Sequence, residues 1–566
     1  MKKAIAILIA LCIVFALSAC GNDKNGTSET EGSQTPGSVD SGSSQTPGGA
    51  ESSSAQTSGD GTQPSSEGQP GGGEQPGGIV SARDTLTLGA SADSGSLDPV
   101  YTGFDVQGIA LRLIYQPLWE FSEDYSEIRY ILATNLDMID PLYWEITLRE
   151  DVYFQNGAHF DADDAVFSLR LAQTRIGEPA PVGGMPADGI NKIDDYKFSI
   201  QFDEYYIGNE YTLSILCMYD MESYNADTAA YITNGSGPFE VVDYVINSHL
   251  VLAARDDYWG TPPLIKNITL RVLGEEAQRV NALKVGEVDI TGVPYQDIEY
   301  VRSLPNIEVR MNPTQTTAAI YFNVSDLRSV FRDNIDARFA VAYAIDPQAI
   351  LDIAYSGYGE ISRAPYSAYT SDPDPDNNDL GIYGHGYDLE LARELAAKSG
   401  LTEMEVLLIN NGSPAYVTAC ELIQANLREI GVTVNIQSLD AGSWLTYLFD
   451  DSAWDMCIDM TLGGTTAASL AIGWVLRGGY ANMEYTSTYP GKERFDEIVR
   501  DLRSVSDRDE LKARYQEACE LHAEAMLYYS LVDVVGAQAY DNRLVLPRIA
   551  TTMPGGIDFA NVYWLE

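Results

Sequence analysis

Short segments in which polar and apolar residues alternate begin near residue 84. Residues 84–89 (DTLTLG), 143–148 (YWEITL) and 196–202 (YKFSIQF) show a period of two, which predicts strands with one buried face. Between the last two segments, residues 161–169 (DADDAVFSL) place carboxylates ahead of an apolar stretch. Acidic side chains suit the first turn of a helix because they meet the positive end of its dipole, so this segment predicts a helix.

Strand and helix patterns alternate in the second half of the chain. Residues 404–409 (MEVLLI) are typical of a buried strand, and residues 417–430 have helical periodicity. Gly431 ends that helix and residues 432–436 (VTVNI) predict the next strand, which makes a βαβ unit with a right-handed crossover. Further helices are predicted at residues 338–345, 389–398 and 510–526. These patterns predict two α/β lobes with a strand-rich insertion.

The first twenty residues have the order of an export signal. Lys2 and Lys3 precede an apolar run at residues 4–15, which is shorter than a membrane span requires. The following sequence LSAC resembles the lipobox of bacterial lipoproteins, in which residues 1–19 would be removed and Cys20 would carry a diacylglycerol. An ordinary secretory signal that ends in a chance cysteine is the alternative. Both interpretations place the body of the protein outside the cytoplasm, and the lipobox predicts a lipid anchor on the cell membrane.

Residues 20–82 consist almost entirely of Ser, Gly, Thr, Gln, Pro and Glu. Such a segment has too little apolar surface to offset the entropy of ordering it, so we expect disorder. About sixty flexible residues span roughly 40–50 Å. Its position directly behind the lipidation site predicts a tether, although a low-complexity tail without a role would have the same composition.

The charge balance excludes one class of partner. The chain has 566 residues, enough for two or three domains, with 35 basic and 82 acidic residues and a formal charge of −47. Such a surface repels phosphates, so we expect no nucleic-acid binding. It also repels anionic headgroups, so membrane attachment is expected to depend on the lipid.

The cysteines and histidines do not form a metal-binding pattern. Two of the six cysteines lie in or next to the signal, and Cys217, Cys420, Cys457 and Cys519 are widely spaced without a CxxC motif. We expect isolated core residues, and whether any pair forms a disulfide stays open. The four histidines have no HExxH spacing, so we expect no metal site and no cofactor.

Seven motifs follow one another in the folded part of the chain. They are residues 144–157 (WEITLREDVYFQNG), 160–168 (FDADDAVFS), 235–239 (GSGPF), 257–260 (DYWG), 286–290 (GEVDI), 322–323 (FN) and 338–346 (RFAVAYAID). This order resembles the extracytoplasmic solute-binding proteins of the oligopeptide and nickel class, the family-5 receptors of ABC importers. No single motif is decisive, but seven in order are specific.

The resemblance implies an α/β fold of the periplasmic-binding-protein-like type II, with two α/β lobes, a hinge and an inserted small α+β domain. The implied division assigns residues 83–105, 206–305 and 530–566 to lobe I, residues 106–205 to the small domain, and residues 306–529 to lobe II. Ligand would be held in the cleft between the lobes, which close on it.

The resemblance also indicates where ligand contacts lie. Peptide-binding relatives hold the peptide ammonium with a carboxylate in a Gly-Trp-x-x-Asp context, just beyond the strand matched here by residues 454–459 (WDMCID). Here Thr461 and Gly464 fall at the Trp and Asp positions, and Asp459 is the nearest carboxylate. This departure disfavours recognition of a free amine. The small residues of the loop would still let a ligand approach the backbone closely.

Aromatic residues supply the other candidates. Tyr101, Phe104 and Asp105 follow the family's entry motif LDP, while Trp444 and Trp474 flank the second-lobe loop; each ring could equally be a core residue. The complete set of expected ligand contacts is Tyr101, Phe104, Asp105, Trp444, Asp459, Thr461, Gly463, Gly464 and Trp474.

Three functions remain open at this stage. The first is a lipid-anchored receptor that binds an oligopeptide and delivers it to ABC permease subunits, acting as a monomer. The second is the same receptor with a non-peptide ligand, such as an oligosaccharide or a metal chelate. The third is a tethered extracellular hydrolase or adhesion protein. We expect no enzyme, because the sequence contains no catalytic constellation and no phosphate-binding glycine loop outside the tether.

Overall fold

The computed structural model describes the folded part of the chain. The described residues are 80–93, 95–98, 111–121, 127–175, 185–203, 209–324, 326–367, 386–439, 441–448, 452–461, 489–501, 505, 507–547 and 557–566. The predicted signal, Cys20 and nearly all of the predicted tether lie outside them. No helix within these ranges combines the length and the apolar character needed to cross a bilayer.

The strands and helices alternate along most of the chain. The strands are β1 (Thr85–Ala90), β2 (Trp119–Phe121), β3 (Ile128–Tyr130), β4 (Ala133–Asp140), β5 (Tyr143–Leu148), β6 (Ile190–Asp194), β7 (Lys197–Gln201), β8 (Phe239–Val245), β9 (His249–Ala254), β10 (Asn267–Val272), β11 (Ile290–Gly292), β12 (Ile307–Phe322), β13 (Glu360–Ile361), β14 (Glu405–Asn410), β15 (Thr433–Ser438), β16 (Met456–Thr461), β17 (Tyr528–Asp541), β18 (Leu544–Val545) and β19 (Tyr563–Trp564). The α-helices are α1 (Ala162–Arg175), α2 (Asn209–Ile215), α3 (Glu276–Lys284), α4 (Ile298–Arg302), α5 (Ile335–Ala344), α6 (Pro347–Ala354), α7 (Leu389–Ser399), α8 (Pro414–Arg428), α9 (Ala441–Leu448), α10 (Lys492–Asp501) and α11 (Arg508–Ala525).

The segments with alternating polar and apolar residues form strands in the structure, as predicted. In β5 the side chains of Trp144, Ile146 and Leu148 are buried and the intervening ones are partly exposed. The acidic start at residues 161–169 becomes α1, with Asp163 and Asp164 in its first turn. Helix formation there agrees with the favourable position of carboxylates at a helix N-terminus.

The predicted βαβ unit is confirmed. β14 pairs in parallel with β15, Glu405 opposite Thr433, and α8 connects the two strands. Proline occupies the first turn of α8, where its missing N–H costs no helical hydrogen bond. Gly431 has φ +82° in the turn that leads into β15, a conformation that favours glycine.

One large sheet extends through both lobes. Within the described residues its strand order is β15-β14-β16-β12-β17-β11-β1-β10-β9-β8, and β13 pairs with β17 beside this path. β14, β15 and β16 form the parallel part in lobe II, and β1, β10 and β11 form the parallel part in lobe I. The long strands β12 and β17 are antiparallel to each other and belong to both lobes.

Separate hydrophobic cores support this division. The largest packs α5, α6, α8 and α11 against the lobe II strands. A second core lies under the four-stranded sheet β4-β5-β7-β6 of the insertion and contains Trp144, Phe154, Phe160 and Phe198. Leu88, Leu252 and Leu270 belong to a third core in lobe I. The predicted α/β class, with two lobes, a hinge and a small inserted domain, is confirmed. The residue boundaries assigned to each domain stay predictions.

The two ends of the described fold are joined. The backbone N–H of Ala82 donates to the carbonyl of Trp564 (3.1 Å), and the N–H of Trp564 donates to the hydroxyl of Ser81 (2.9 Å). The guanidinium of Arg83 lies 4.0 Å from the centre of the Trp564 ring, at cation–π distance. These contacts hold residues 81–83, which precede β1, against Trp564 of β19.

Candidate ligand-binding site

The carboxyl ends of the parallel strands in lobe II meet at one edge of the sheet. β14 lies between β15 and β16. The chain runs from β14 to β15 on one side and then crosses back to β16 on the other side of β14. In open α/β sheets, ligands bind outside the carboxyl ends of strands where the connections diverge in this way. We therefore place the candidate site at this edge, beyond Asn410, Ser438 and Thr461.

The loop that follows β14 is held in shape by two asparagines. The Oδ1 atom of Asn410 accepts the N–H of Gly412 (2.9 Å), and the Oδ1 atom of Asn411 accepts the N–H of Ser413 (3.1 Å). Gly412 has φ +78°, which glycine adopts without strain. Sequence reasoning missed this loop, although the run NNGSP directly after a strand is a strong turn signal.

Asp459 lies on the last part of β16 and is almost fully buried, with 3% of its surface exposed. Its Oδ1 atom accepts the N–H of Met460 (2.8 Å). In the ladder Asp459 is opposite Ala319 of β12. Burial, with a smaller contribution from the Asp459 charge, raises the pKa of the Cys457 thiol well above its usual value. Asp459 is therefore a strand carboxylate close to the carboxyl edge, not a residue of the loop beyond it.

The structure locates only some of the expected ligand contacts. Thr461 is the last residue of β16 and pairs with Thr317 of β12. Trp444 belongs to α9 and is buried in the lobe II core. Asp459 and Thr461 thus come together on one strand end. The other candidates lie outside the described residues and stay predictions: Tyr101, Phe104, Asp105, Gly463, Gly464 and Trp474.

The connection between the lobes narrows beside this edge. Among the described residues, β16 pairs with β12 from residue 317 onward, and β11 pairs with β17 at residues 538–540. In the described part of the chain, residues 312–316 of β12 and 534–536 of β17 therefore have no third strand beside them; we call these two stretches the waist. Waist pairing is also irregular, because Pro313 is opposite Val535 while Thr317 is opposite Asp533.

One group of carboxylates has a spacing that a cation could use. Among the described residues, Asp164, Asp220 and Glu222 have oxygens within 4.8 Å of one another. Both oxygens of Asp164 already accept backbone N–H groups, from Asp161 (3.0 Å) and Met221 (2.9 Å). Burial raises the pKa of Asp164 to about 7. The carboxylate thus fastens α1 to the segment around residue 221, which is a structural role.

Comparison with known proteins identifies the family. The model described as "Bacterial extracellular solute-binding proteins, family 5 Middle" matches residues 127–482, more than half of the chain. The chain belongs to the family-5 bacterial extracellular solute-binding proteins. The expected resemblance is thereby confirmed, and with it a role as a solute-binding protein outside the cytoplasm.

The relatives are distant but nearly full-length. The chain is 22% identical over 511 residues to the nickel-binding periplasmic protein of Escherichia coli (strain K12), covering 84% of this chain and 94% of that protein. It is 21% identical over 479 residues to the oligopeptide-binding protein AppA of Bacillus subtilis (strain 168), covering 78% of this chain and 86% of that protein.

Solved structures share the fold. The periplasmic binding protein DppA from Helicobacter pylori, in complex with the peptide STSA, superposes with a TM-score of 0.69 at 21% identity, covering 85% of this chain and 98% of that chain. NikA from Staphylococcus aureus, in complex with Ni(L-His)2, gives a TM-score of 0.68 at 18% identity, covering 83% and 99%. These likenesses establish the architecture of the two lobes.

Proposed function

We propose that this protein is the membrane-anchored receptor of an ABC importer, which captures an oligopeptide-like ligand between its lobes and delivers it to the permease. The observation that carries this proposal is the waist beside the carboxyl edge of lobe II. A two-stranded connection lets two lobes rotate together around a ligand. Ligand binding then favours the closed state by the difference between its affinities for the two states.

The ligand contacts proposed for this cleft come from both lobes. Lobe I would supply Tyr101, Phe104 and Asp105. Lobe II would supply Trp444, Asp459, Thr461, Gly463, Gly464 and Trp474, with the loop after β14 at the same edge. The division into lobes at residues 83–105, 206–305 and 530–566 against residues 306–529 is part of the same proposal.

A metal chelate is the second candidate ligand. Support comes from relatives whose names describe nickel binding and from the solved structure of NikA with Ni(L-His)2. The absence of the Gly-Trp-x-x-Asp pattern here points the same way, since that pattern serves peptide ammonium recognition. Peptide support comes from the relatives named for oligopeptide binding. An oligosaccharide stays a third possibility.

Thermal unfolding with defined solutes tests the ligand class. A solute that binds only the folded protein raises its melting temperature by mass action. We expect a rise with tri- to nonapeptides of mixed sequence. Nickel–histidine chelate and chito-oligosaccharides test the alternatives, and ATP serves as the negative control. A rise in melting temperature with the chelate alone would identify a metal chelate, and not a peptide, as the ligand class. No rise with any of the three classes would contradict the receptor function.

Detergent phase partitioning tests the anchor. We expect the protein expressed in a bacterial host to enter the detergent phase of Triton X-114 and to incorporate labelled palmitate. Cys20→Ser removes the thiol that would carry the lipid, so this variant should move to the aqueous phase, whereas Cys217→Ser should partition as the parent does. A parent protein that stays in the aqueous phase would contradict lipid anchoring without affecting the binding function.

A further inference from the structure

A short segment of lobe II crosses both hinge strands directly next to the waist. Residues 359–367 (GEISRAPYS) begin with β13, in which Glu360 and Ile361 pair with β17 at Asp533 and Val532. The backbone N–H of Ser362 then donates to the carbonyl of Leu531 (3.1 Å). We call residues 359–367 the strap.

The strap continues over β17 and reaches β12. The carbonyl of Pro365 accepts the hydroxyls of Tyr528 (2.7 Å) and Ser530 (3.1 Å), both on β17. The hydroxyl of Ser367 donates to the carbonyl of Thr314 on β12 (3.3 Å). The strap is thus hydrogen bonded to both strands that join the lobes, and its last bond ends inside the waist.

A buried chain of polar side chains lies beneath the strap. The hydroxyl of Ser362 donates to Oδ1 of Asp533 (2.7 Å) and lies 2.6 Å from the hydroxyl of Thr317. Thr317 in turn contacts the carbonyl of Val532 (3.0 Å). Ser362, Thr317 and Asp533 are each at most 2% exposed. Buried hydrogen bonds of this kind have defined geometry and are costly to break one partner at a time.

The entry to the strap admits only glycine. Gly359 has φ +119°, and a Cβ there would lie 2.7 Å from the carbonyl oxygen of Asp533 and 3.1 Å from Cγ1 of Val532. Both the dihedral angle and the close approach exclude other residues. The backbone of the strap is therefore pressed against β17 from its first residue.

The waist has hydroxyl contacts of its own. Thr314 donates its hydroxyl to the carbonyl of Val534 (2.6 Å), across the two hinge strands, and lies 2.7 Å from the hydroxyl of Thr316. On the lobe II side of these contacts the strap holds β12 and β17 together. On the lobe I side β11 flanks β17.

We propose that the strap fixes the lobe II end of the hinge, so that bending is confined to the waist, and that Ser362, Thr317 and Asp533 are the residues that position it. This inference rests on the proposed lobe closure. A fixed pivot narrows the range of ligand-free conformations. If a larger fraction of the ligand-free molecules is in the binding-competent conformation, the apparent Kd for the ligand is correspondingly lower.

Distance measurements between the lobes test the strap without any ligand. Spin labels are placed at Val285→Cys in lobe I and Leu327→Cys in lobe II, both strongly exposed. The full-length chain also carries Cys12→Ser and Cys20→Ser. Cys217, which is only partly buried, is replaced by serine as well, and burial raises the pKa of the Cys420, Cys457 and Cys519 thiols, which protects them from labelling. Pulsed electron–electron double resonance then gives the distribution of distances between the two spin labels, and so between the lobes.

Ser362→Ala and Thr317→Val should each widen that distribution relative to the doubly labelled parent, and Ser362→Thr should restore most of its sharpness. The matched control is Ser168→Ala in the inserted domain. Ser168 is also 2% exposed, donates to the carbonyl of Asp164 (2.6 Å) and accepts the N–H of Tyr219 (2.8 Å). This control should lower the melting temperature similarly but leave the distribution unchanged.

Two results would contradict the proposed role of the strap. One is a folded Ser362→Ala protein with the distribution of the parent, and the other is equal widening by Ser168→Ala. If Ser362→Ala does not fold, Ser367→Ala, which removes the 3.3 Å bond to Thr314, is judged by the same two results. A failure of the proposed function would look different, because it would show as no response to any solute while the ligand-free distributions still distinguished the variants.

Discussion

At the scale of single residues, two buried titratable groups give the protein opposing responses to pH. Asp164 is held in α1 with its pKa raised to about 7 by burial, against an ordinary value of 3.8. His522 in α11 has its pKa lowered to about 3, first by burial and then by the charge of Arg338, against an ordinary value of 6.5. Each folded-state shift becomes a stability difference through proton linkage.

Asp164 should make the folded protein more stable as the pH falls from about 7 to about 4. In that window the folded state keeps the proton and the unfolded state has lost it, so the raised pKa destabilises the fold above pH 7 by roughly 4 kcal/mol. We expect Asp164→Asn to cost stability at pH 5, because an amide nitrogen replaces one of the two side-chain oxygens that accept backbone N–H groups, and to cost less or nothing at pH 8. Urea unfolding midpoints at both pH values measure this. Ser168→Ala, which removes no titratable group, should lose the same stability at both.

His522 should act in the other direction. Its depressed pKa leaves stability intact above pH 6.5 and removes it as the pH falls from 6.5 towards 3, by up to about 4 kcal/mol at the acid end. His522→Phe keeps a ring beside Tyr528, whose centroid lies 4.2 Å away, and removes the titration. The variant should therefore lose less stability between pH 6.5 and pH 4 than the parent. Parallel acid profiles for parent and variant would contradict this, and His249→Phe at the partly exposed first residue of β9 is the control.

At the scale of elements, a local sequence pattern predicts a strand or helix correctly when its burial does not depend on which other elements pack against it. The alternation in residues 143–148 predicts β5 to the residue because one face of that strand is buried regardless of its neighbours. β12 is different. Its sequence NPTQT at residues 312–316 contains a proline and a run of polar residues, which is typical of a loop. In the structure this stretch belongs to the waist. Because no third strand lies beside it among the described residues, β12 tolerates both the proline and the polar run there.

The strap shows the same limit. Ser362 and Asp533 are polar residues that a local pattern assigns to the surface, yet each is buried against the other across 171 positions of sequence. Only the pairing of β12 with β17, which lies more than two hundred residues further along the chain, creates their environment. The candidate site was predicted in the same partial way. Its strand, β16, followed from the family resemblance, whereas the asparagine loop after β14 depends on a three-strand arrangement.

The loop after β16 gives the prediction at this scale. If the small residues beyond Thr461 let a ligand approach the backbone, Gly464→Trp should abolish the thermal shift caused by that ligand and leave the melting temperature of the free protein within a degree or two of the parent. Leu327→Trp, on an exposed position of lobe II, should change neither value. An unaltered ligand response in Gly464→Trp would remove the loop from the site.

At the scale of the whole molecule, the sheet explains how two rigid lobes can be connected by a segment that bends. Strand pairing is continuous from β15 to β8, but across the part of the chain that the structure describes the sheet is only two strands wide at the waist. Each lobe keeps its own hydrophobic core. A rotation about the waist therefore breaks no core contact within a lobe, which is the physical requirement for a receptor that opens and closes repeatedly.

The contact between Ala82 and Trp564 has a consequence for chain order. Because the ends of the fold touch, a circular permutant that joins residue 566 to residue 80 through a short glycine–serine linker, and opens at the exposed turn around Gly286, should reach a native far-ultraviolet spectrum and unfold cooperatively. A permutant opened at residue 315 should not, since its new ends would divide the connection between the lobes. Covalent continuity should thus be dispensable at the turn around Gly286 and indispensable at the waist.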